Sequence, residues 1–255
     1  MGCSVPGTSH VASGTPCQDA CAYRILEDGS LLGAVADGAG TAKNAQRGSS
    51  VAAKSAIEYL AAHLETSRPK DAAGVRSLLK DCVLYVRDNL QKEAQGTSLK
   101  PGEETCLGDF ATTLIAFYLS GPFLGTVQVG DGALVFRKGR DELLLACIPE
   151  RGEYLNETSF VTSQDFEEHC QFLVESSDDV NAVSLFSDGL QMLALVYRDN
   201  LPHEPFFGPL FGFLCQESAG IEDLRHFLAS DRVCAHSDDD KTLIVAVRMP
   251  ASKSC

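Results

Sequence analysis

Positive charge is scarce in this sequence: 21 Lys and Arg stand against 35 Asp and Glu, a formal net charge of -14 over 255 residues. Nucleic acid is therefore excluded as a partner, because a phosphate backbone needs clustered Lys and Arg. Long apolar runs are also missing. Leu193–Tyr197 and Leu243–Val247 are among the longest, far below the ~20 residues that cross a bilayer, so neither a membrane span nor a membrane partner is expected. Met1–Gly14 holds no Lys, no Arg and no apolar h-region, which predicts no secretory signal and a cytoplasmic chain. Met1-Gly2-Cys3 would begin a myristoylation motif, but Pro6 stands where Ser or Thr is wanted. The ten cysteines are scattered, with only Cys17 and Cys21 close together; they read as buried reduced thiols rather than disulfides or a zinc site. With no internal repeat, low-complexity tract or linker, residues 1–255 are expected to form a single domain.

What is present is an ordinary globular composition, 44% apolar and 22% charged. Leu31–Ala36, Ala111–Leu119, Leu124–Gly130, Leu134–Arg137, Glu142–Cys147, Val183–Phe186 and Leu243–Arg248 are short apolar or β-branched runs bounded by Gly, Asp or Pro, and each reads as a strand. Ala45–Leu64 carries Val51, Ala52, Ala56, Leu60 and Leu64 at helical spacing; Val75, Leu78, Leu79, Val83, Val86 and Leu90 do the same over Ala72–Ala94. The break at Arg68-Pro69-Lys70-Asp71 makes them an antiparallel helical pair. Shorter helices are predicted over Ser187–Tyr197 and Ile221–Leu228. Gly96–Gly108 and Pro149–Glu157 read as polar loops, and Asn200–Gly212 as an irregular connection. Strands and helices segregate along the chain, which argues an α+β fold with helices covering antiparallel sheets.

Aspartates recur directly after the apolar runs. Asp37-Gly38 follows Leu31–Ala36, Asp131-Gly132 follows Thr126–Gly130, and Asp188-Gly189 follows Val183–Ser187. One such pair is an ordinary turn, in which Asp bonds its own backbone and Gly supplies a positive φ. Three, with Asp19 and the run Ser237-Asp238-Asp239-Asp240-Lys241-Thr242, imply that acids from distant parts of the chain converge on one rim. Converging carboxylates repel unless a cation sits among them. Oxygen-only donors point to Mg²⁺ or Mn²⁺, and two such ions about 4 Å apart would clamp a phosphoryl oxygen and acidify a water. That is chemistry for hydrolysing phosphate esters.

Six short pieces then fall in a familiar order: Gly7-Thr8-Ser9-His10 leading to Pro16-Cys17-Gln18-Asp19-Ala20; Ala34-Val35-Ala36-Asp37-Gly38-Ala39-Gly40; Ala111-Thr112-Thr113-Leu114; Val129-Gly130-Asp131-Gly132; Leu185-Phe186-Ser187-Asp188-Gly189-Leu190; and Asp239-Asp240-Lys241-Thr242-Leu243. In this order, across nearly the whole chain, the sequence resembles the metal-dependent type 2C protein serine/threonine phosphatases, in particular their compact bacterial form. The resemblance implies a β-sandwich of two antiparallel sheets flanked by helical pairs, with a binuclear Mg²⁺/Mn²⁺ centre at one end.

Carried onto this chain, it makes Asp37 the bridging ligand and the Gly38 carbonyl a ligand of the second ion. Asp188 and Asp239 would hold the first ion, and Asp131 with Asp188 a weaker third. Asp19 would accept from waters on the ions, and Gln18, where Glu is frequent, would accept through its carbonyl or orient a water. Phosphoserine and phosphothreonine in proteins would be hydrolysed by a metal-bridging hydroxide without a covalent intermediate, by positioning and charge neutralisation. Phosphorylated proteins, and a Ser/Thr kinase whose work is reversed, are the implied partners.

Two departures stand out. Ala39 replaces a His proposed as general acid in eukaryotic members, and the Arg that binds substrate phosphate in many members has no counterpart in residues 8–16, where only His10 is ionisable. His10 either takes the phosphate role or satisfies hydrogen bonds in a strand. Thr112 and Thr113 read as core packing, Arg47 as a solvated helix face, and Cys17 and Cys21 as inert. The alternative is a catalytically weak pseudophosphatase that binds phosphoproteins or a partner as a regulator. A two-metal nuclease is disfavoured by the charge of -14.

Overall fold

The computed structural model describes residues 1–97, 105–149, 158–196, 198–216 and 218–249. Its strands are β1 (Gly2–Val5), β2 (Asp19–Ile25), β3 (Leu31–Asp37), β4 (Leu114–Ser120), β5 (Phe123–Val129), β6 (Ala133–Lys138), β7 (Glu142–Leu145), β8 (Gln171–Ser176), β9 (Val180–Phe186), β10 (Leu195–Val196), β11 (Leu201–Pro202) and β12 (Lys241–Val247). Its helices are α1 (Thr8–Ser13), α2 (Ala45–Thr66), α3 (Ala72–Gly96), α4 (Gln191–Ala194), α5 (Glu204–Leu214), α6 (Ile221–Leu228) and α7 (Asp231–Cys234).

Two five-stranded sheets, in the orders β1-β12-β9-β6-β7 and β2-β3-β4-β5-β8, form the middle of the molecule, and their named strand pairings are all antiparallel. Three apolar layers hold the stack together. Between the sheets lie Val35, Ile115, Phe117, Leu134, Phe136, Leu185 and Ile244. On one outer face α2 and α3 cover the β3-containing sheet through Leu60, Leu64, Leu79, Val83 and Val86. On the other, Phe207, Phe211, Leu224 and Leu228 cover the β9-containing sheet. This is the α+β sandwich with flanking helices that the resemblance implied. Among the described residues no helix is long and apolar enough to cross a membrane.

The antiparallel order sends chemistry to one end. Asp19 at the start of β2 is the cross-strand partner of Asp37 at the end of β3. In the second sheet Phe186, ending β9, pairs with both Ala133, beginning β6, and Leu243 near the start of β12. Asp131, Asp188 and Asp239 flank those paired ends and so come to the same rim as Asp37.

Sequence and structure differ in several elements. The helical pair falls as expected, α2 and α3 each running two residues further. The connection read over Asn200–Gly212 instead holds most of α5, which runs on to Leu214 and whose Phe207, Leu210 and Phe211 are buried. Pro205 sits in the first turn of α5, where no N–H partner is lost. The helix read over Ser187–Tyr197 is a 3₁₀ turn at Asp188–Leu190, then α4, then β10. Strands β1, β2 and β8 had no counterpart in the pattern reading. Of the predicted loops, residues 98–104 and 150–157 lie outside the described residues, and Leu107–Phe110 forms a 3₁₀ turn.

Candidate metal centre

Asp37, Asp131 and Asp188 each bring one carboxylate oxygen to within 4.8 Å of the others, and all three are half-buried. Local hydrogen bonds explain how each arrives there. The Asp37 backbone is gripped by two threonines: its N–H donates to Thr113 Oγ1 at 2.9 Å, and its carbonyl accepts from Thr113 N at 2.8 Å and Thr112 Oγ1 at 2.9 Å. Thr112 and Thr113 are buried, as a packing role requires, but they also position Asp37, which the sequence reading missed.

Asp131 sits in a turn closed by Gln128, whose Nε2 donates to the Gly130 and Gly132 carbonyls at 3.0 and 2.9 Å. Gln191 donates to the Asp131 carbonyl, and Thr158 Oγ1 to Asp131 Oδ2 at 2.9 Å. Asp188 leads the turn after β9, and Ser187 beside it donates to Asp19 Oδ2 at 2.6 Å while accepting from Thr242 N at 3.0 Å.

The glycines after these aspartates do not serve the purpose first assigned. Gly38, Gly132 and Gly189 are absent from the residues with positive φ, so none supplies a left-handed turn. A Cβ at Gly38 would overlap the Ala45 carbonyl, and one at Gly189 the Asp240 carbonyl. Glycine lets backbones from distant segments touch at the rim.

The acids strain against one another. Burial, and then the charges of Asp19, Asp188, Asp131 and Asp239, push the Asp37 carboxyl well above the ordinary carboxylate range. Asp188 is pushed up to about 8 by burial and by Asp131, Asp239 and Asp19. Asp19 is pushed up to about 7, mainly by burial, against the hydrogen bonds from Ser187 and Thr242. Asp19 Oδ1 and Asp188 Oδ1 are buried and, among the described residues, find no hydrogen-bond donor. A set of hard, mutually repelling oxygen donors, in which Asp19 Oδ1 and Asp188 Oδ1 accept from no N–H or O–H among the described residues, suits Mg²⁺ or Mn²⁺.

The other expected residues fall around this set. Asp239 is exposed and lies outside the group of three, though near enough to act on Asp19, Asp37 and Asp188. Gly38 N–H donates to the Gln18 carbonyl at 3.1 Å, which ties the segment before β2 to the end of β3. His10 lies on α1, not on a strand, and its Nδ1 is 2.8 Å from Asp240 Oδ1. Arg47 pairs with Glu93 on the helical layer. Cys17 and Cys21 are free thiols pushed up by burial, which agrees with an inert role.

A four-layer sandwich with clustered carboxylates at one end defines a class of phosphate-ester hydrolase, and the comparisons with known proteins agree. The profile of the family described as Protein phosphatase 2C matches residues 6–229. The chain belongs to the protein phosphatase 2C family. It is 35% identical over 254 residues to "Serine/threonine-protein phosphatase 3" of Escherichia coli (strain K12), with 96% of each chain covered. Its fold is similar to serine/threonine phosphatase Stp1 from Staphylococcus aureus, at a TM-score of 0.63, 16% identity and coverage of 98% and 94% of the two chains. It is also similar to the catalytic domain of the phosphatase PstP, solved in complex with 2 manganese ions, at a TM-score of 0.58, 19% identity and coverage of 97% and 96%.

Proposed function

We propose that this protein phosphatase hydrolyses phosphoserine and phosphothreonine in proteins and depends on Mg²⁺ or Mn²⁺ held at the carboxylate rim. The observation that carries the reading is the convergence of Asp37, Asp131 and Asp188 within 4.8 Å, in a chain whose family match spans residues 6–229. Asp37, Asp131, Asp188, Asp239 and the Gly38 carbonyl would be the groups that hold the ions. Bound ions would supply the positive charge that neutralises the phosphoryl group and acidifies the attacking water.

The chain's own groups do the remaining work. Thr112 and Thr113 fix where Asp37 points its charge. Asp19, held by Ser187, faces the cluster as an acceptor that can order water, and Gln18 lies beside it. His10 would contact a phosphoryl oxygen. A cytoplasmic location and a Ser/Thr kinase acting on the same phosphoproteins fit this activity. The retained carboxylates weigh against a pseudophosphatase, because a binding scaffold has no use for acids that repel.

The test is hydrolysis of a phosphothreonine peptide by the purified chain with and without Mn²⁺. Mn²⁺-dependent release of phosphate, abolished by Asp37→Asn, is expected. A folded protein that binds Mn²⁺ but releases no phosphate would instead favour the regulator.

A further inference from the structure

Lys241 opens β12, and among the described residues it is the one Lys or Arg whose side chain is fully buried, at 0% exposure. Its stem runs past the turn that carries Asp188: a Cβ at Gly189 would stand 3.3 Å from Lys241 Cγ. Among the described residues its amino group has no carboxylate within ion-pair distance; Nζ donates instead to the Asp239 carbonyl at 2.7 Å. Burying a charge against one neutral acceptor costs stability rather than adding to it, so the contact is not a stabilising ion pair.

What the contact fixes is a peptide plane. The group between Asp239 and Asp240 offers its C=O to Lys241 Nζ and its N–H to Asp239 Oδ1, the latter at 2.8 Å. It is a trans peptide, in which C=O and N–H point opposite ways. Drawing the carbonyl onto the buried amino group therefore turns the N–H toward the Asp239 carboxylate, which holds Oδ1 and leaves Oδ2 without a protein partner among the described residues. The flanking groups are anchored elsewhere. The Asp238 carbonyl accepts from Ser9 N and Oγ at 3.1 and 2.8 Å, and the Asp240 carboxylate from Gly7 N and Gln18 N at 2.7 and 2.6 Å. Lys241 holds the plane from β12, where the next residue is itself pinned by the bond from Thr242 N to Ser187 Oγ at 3.0 Å.

We propose that Lys241 is a positioning residue for the metal centre: by fixing the 239–240 peptide it holds the Asp239 carboxylate at the rim. This rests on the reading of Asp239 as one of the groups that hold the ions. Asp239 is exposed on its loop, so without that hold its carboxylate is free to turn into solvent. The sign of the effect separates positioning from charge. A positive group beside a cation site repels the cation, so losing the charge alone would tighten Mn²⁺ binding, whereas losing the hold loosens it.

The experiment is calorimetric titration of Mn²⁺ into wild type, Lys241→Met, Lys241→Arg, Asp239→Asn and the Lys241→Met/Asp239→Asn double variant. Lys241→Met keeps the length but loses the donor, and should weaken Mn²⁺ binding about tenfold, the scale for residues that orient a metal ligand. Lys241→Arg keeps N–H donors and should recover most of the loss. The double variant should match Asp239→Asn, because Lys241 acts through that side chain. Mn²⁺ binding as tight as wild type or tighter in Lys241→Met, or losses that add, overturn the proposal. In the wild type alone, the Nζ protons should exchange with water slowly enough to give a resolved ¹H–¹⁵N signal; rapid exchange, as at a surface lysine, overturns it even if Lys241→Met fails to fold. An active enzyme whose Asp239→Asn variant binds Mn²⁺ like wild type sinks this inference and leaves the phosphatase reading standing. A wild type that binds Mn²⁺ without releasing phosphate sinks the phosphatase reading, while a tenfold loss in Lys241→Met still upholds this one.

Discussion

Asp37 is where geometry and charge meet most directly, since its carboxyl is repelled by Asp19, Asp188, Asp131 and Asp239. Asp37→Asn removes one of these charges. Activity should fall below detection, while the metal-free protein gains about 1 kcal/mol, a rise of about 2–4 °C in Tm for a chain of this size. Differential scanning calorimetry with and without Mn²⁺ reads both halves, the second as a lost metal increment. Thr113→Val tests the scaffold behind it. The Asp37 N–H would lose its acceptor, and an unsatisfied buried donor costs about 1–3 kcal/mol, measurable by urea unfolding. Much of this site was legible, because Asp37, Asp131 and Asp188 each follow an apolar strand and recur in the same form. Thr112, Thr113 and Ser187 were not. A hydroxyl at the edge of a β-branched run fits packing equally well, and only the fold shows which backbone it meets. Asp240 stood in a run of three acids that sequence alone could not tell apart; its burial comes from contacts with residues 7, 10 and 18.

Elements were readable in proportion to their periodicity. Helices α2 and α3 repeat their apolar residues over 22 and 25 residues, long enough for spacing to decide. Strand β8 is half-buried along nearly its whole length, so it offers no alternation, and the prolines and glycines of α5 hide a helix whose buried face is aromatic. This layering separates stability from chemistry. Leu79, fully buried on the inner face of α3, belongs to the helix-on-sheet core; Leu79→Ala should cost about 2–5 kcal/mol and leave the half-saturating Mn²⁺ concentration unchanged. Gly189→Ala should do the reverse. Its Cβ would press on the Asp240 carbonyl and spread the junction of β9 and β12, so Mn²⁺ affinity measured by calorimetric titration should drop at least tenfold even in a folded variant.

Across the whole molecule the acidic rim sets a pH dependence. Asp19 and Asp188 are raised to about 7 and about 8 from an ordinary 3.8, so the folded metal-free chain binds more protons than the unfolded chain between those values. Their contribution to stability is therefore full below about pH 4 and is lost as pH rises through 7 to 8. Asp28 and Asp109 are held low by their hydrogen bonds and titrate beneath that window. Urea unfolding of metal-free protein should show stability falling from pH 5 to pH 8.5, and added Mn²⁺, which competes with those protons, should restore more at pH 8.5 than at pH 5. The pairing of β1 with β12 carries a further consequence for synthesis. β1 must wait for a strand made more than two hundred residues after it, so a ribosome-bound nascent chain holds an open sheet edge until β12 emerges. Asp239 joins the rim only at that same moment, so the rim is incomplete until the sandwich has closed.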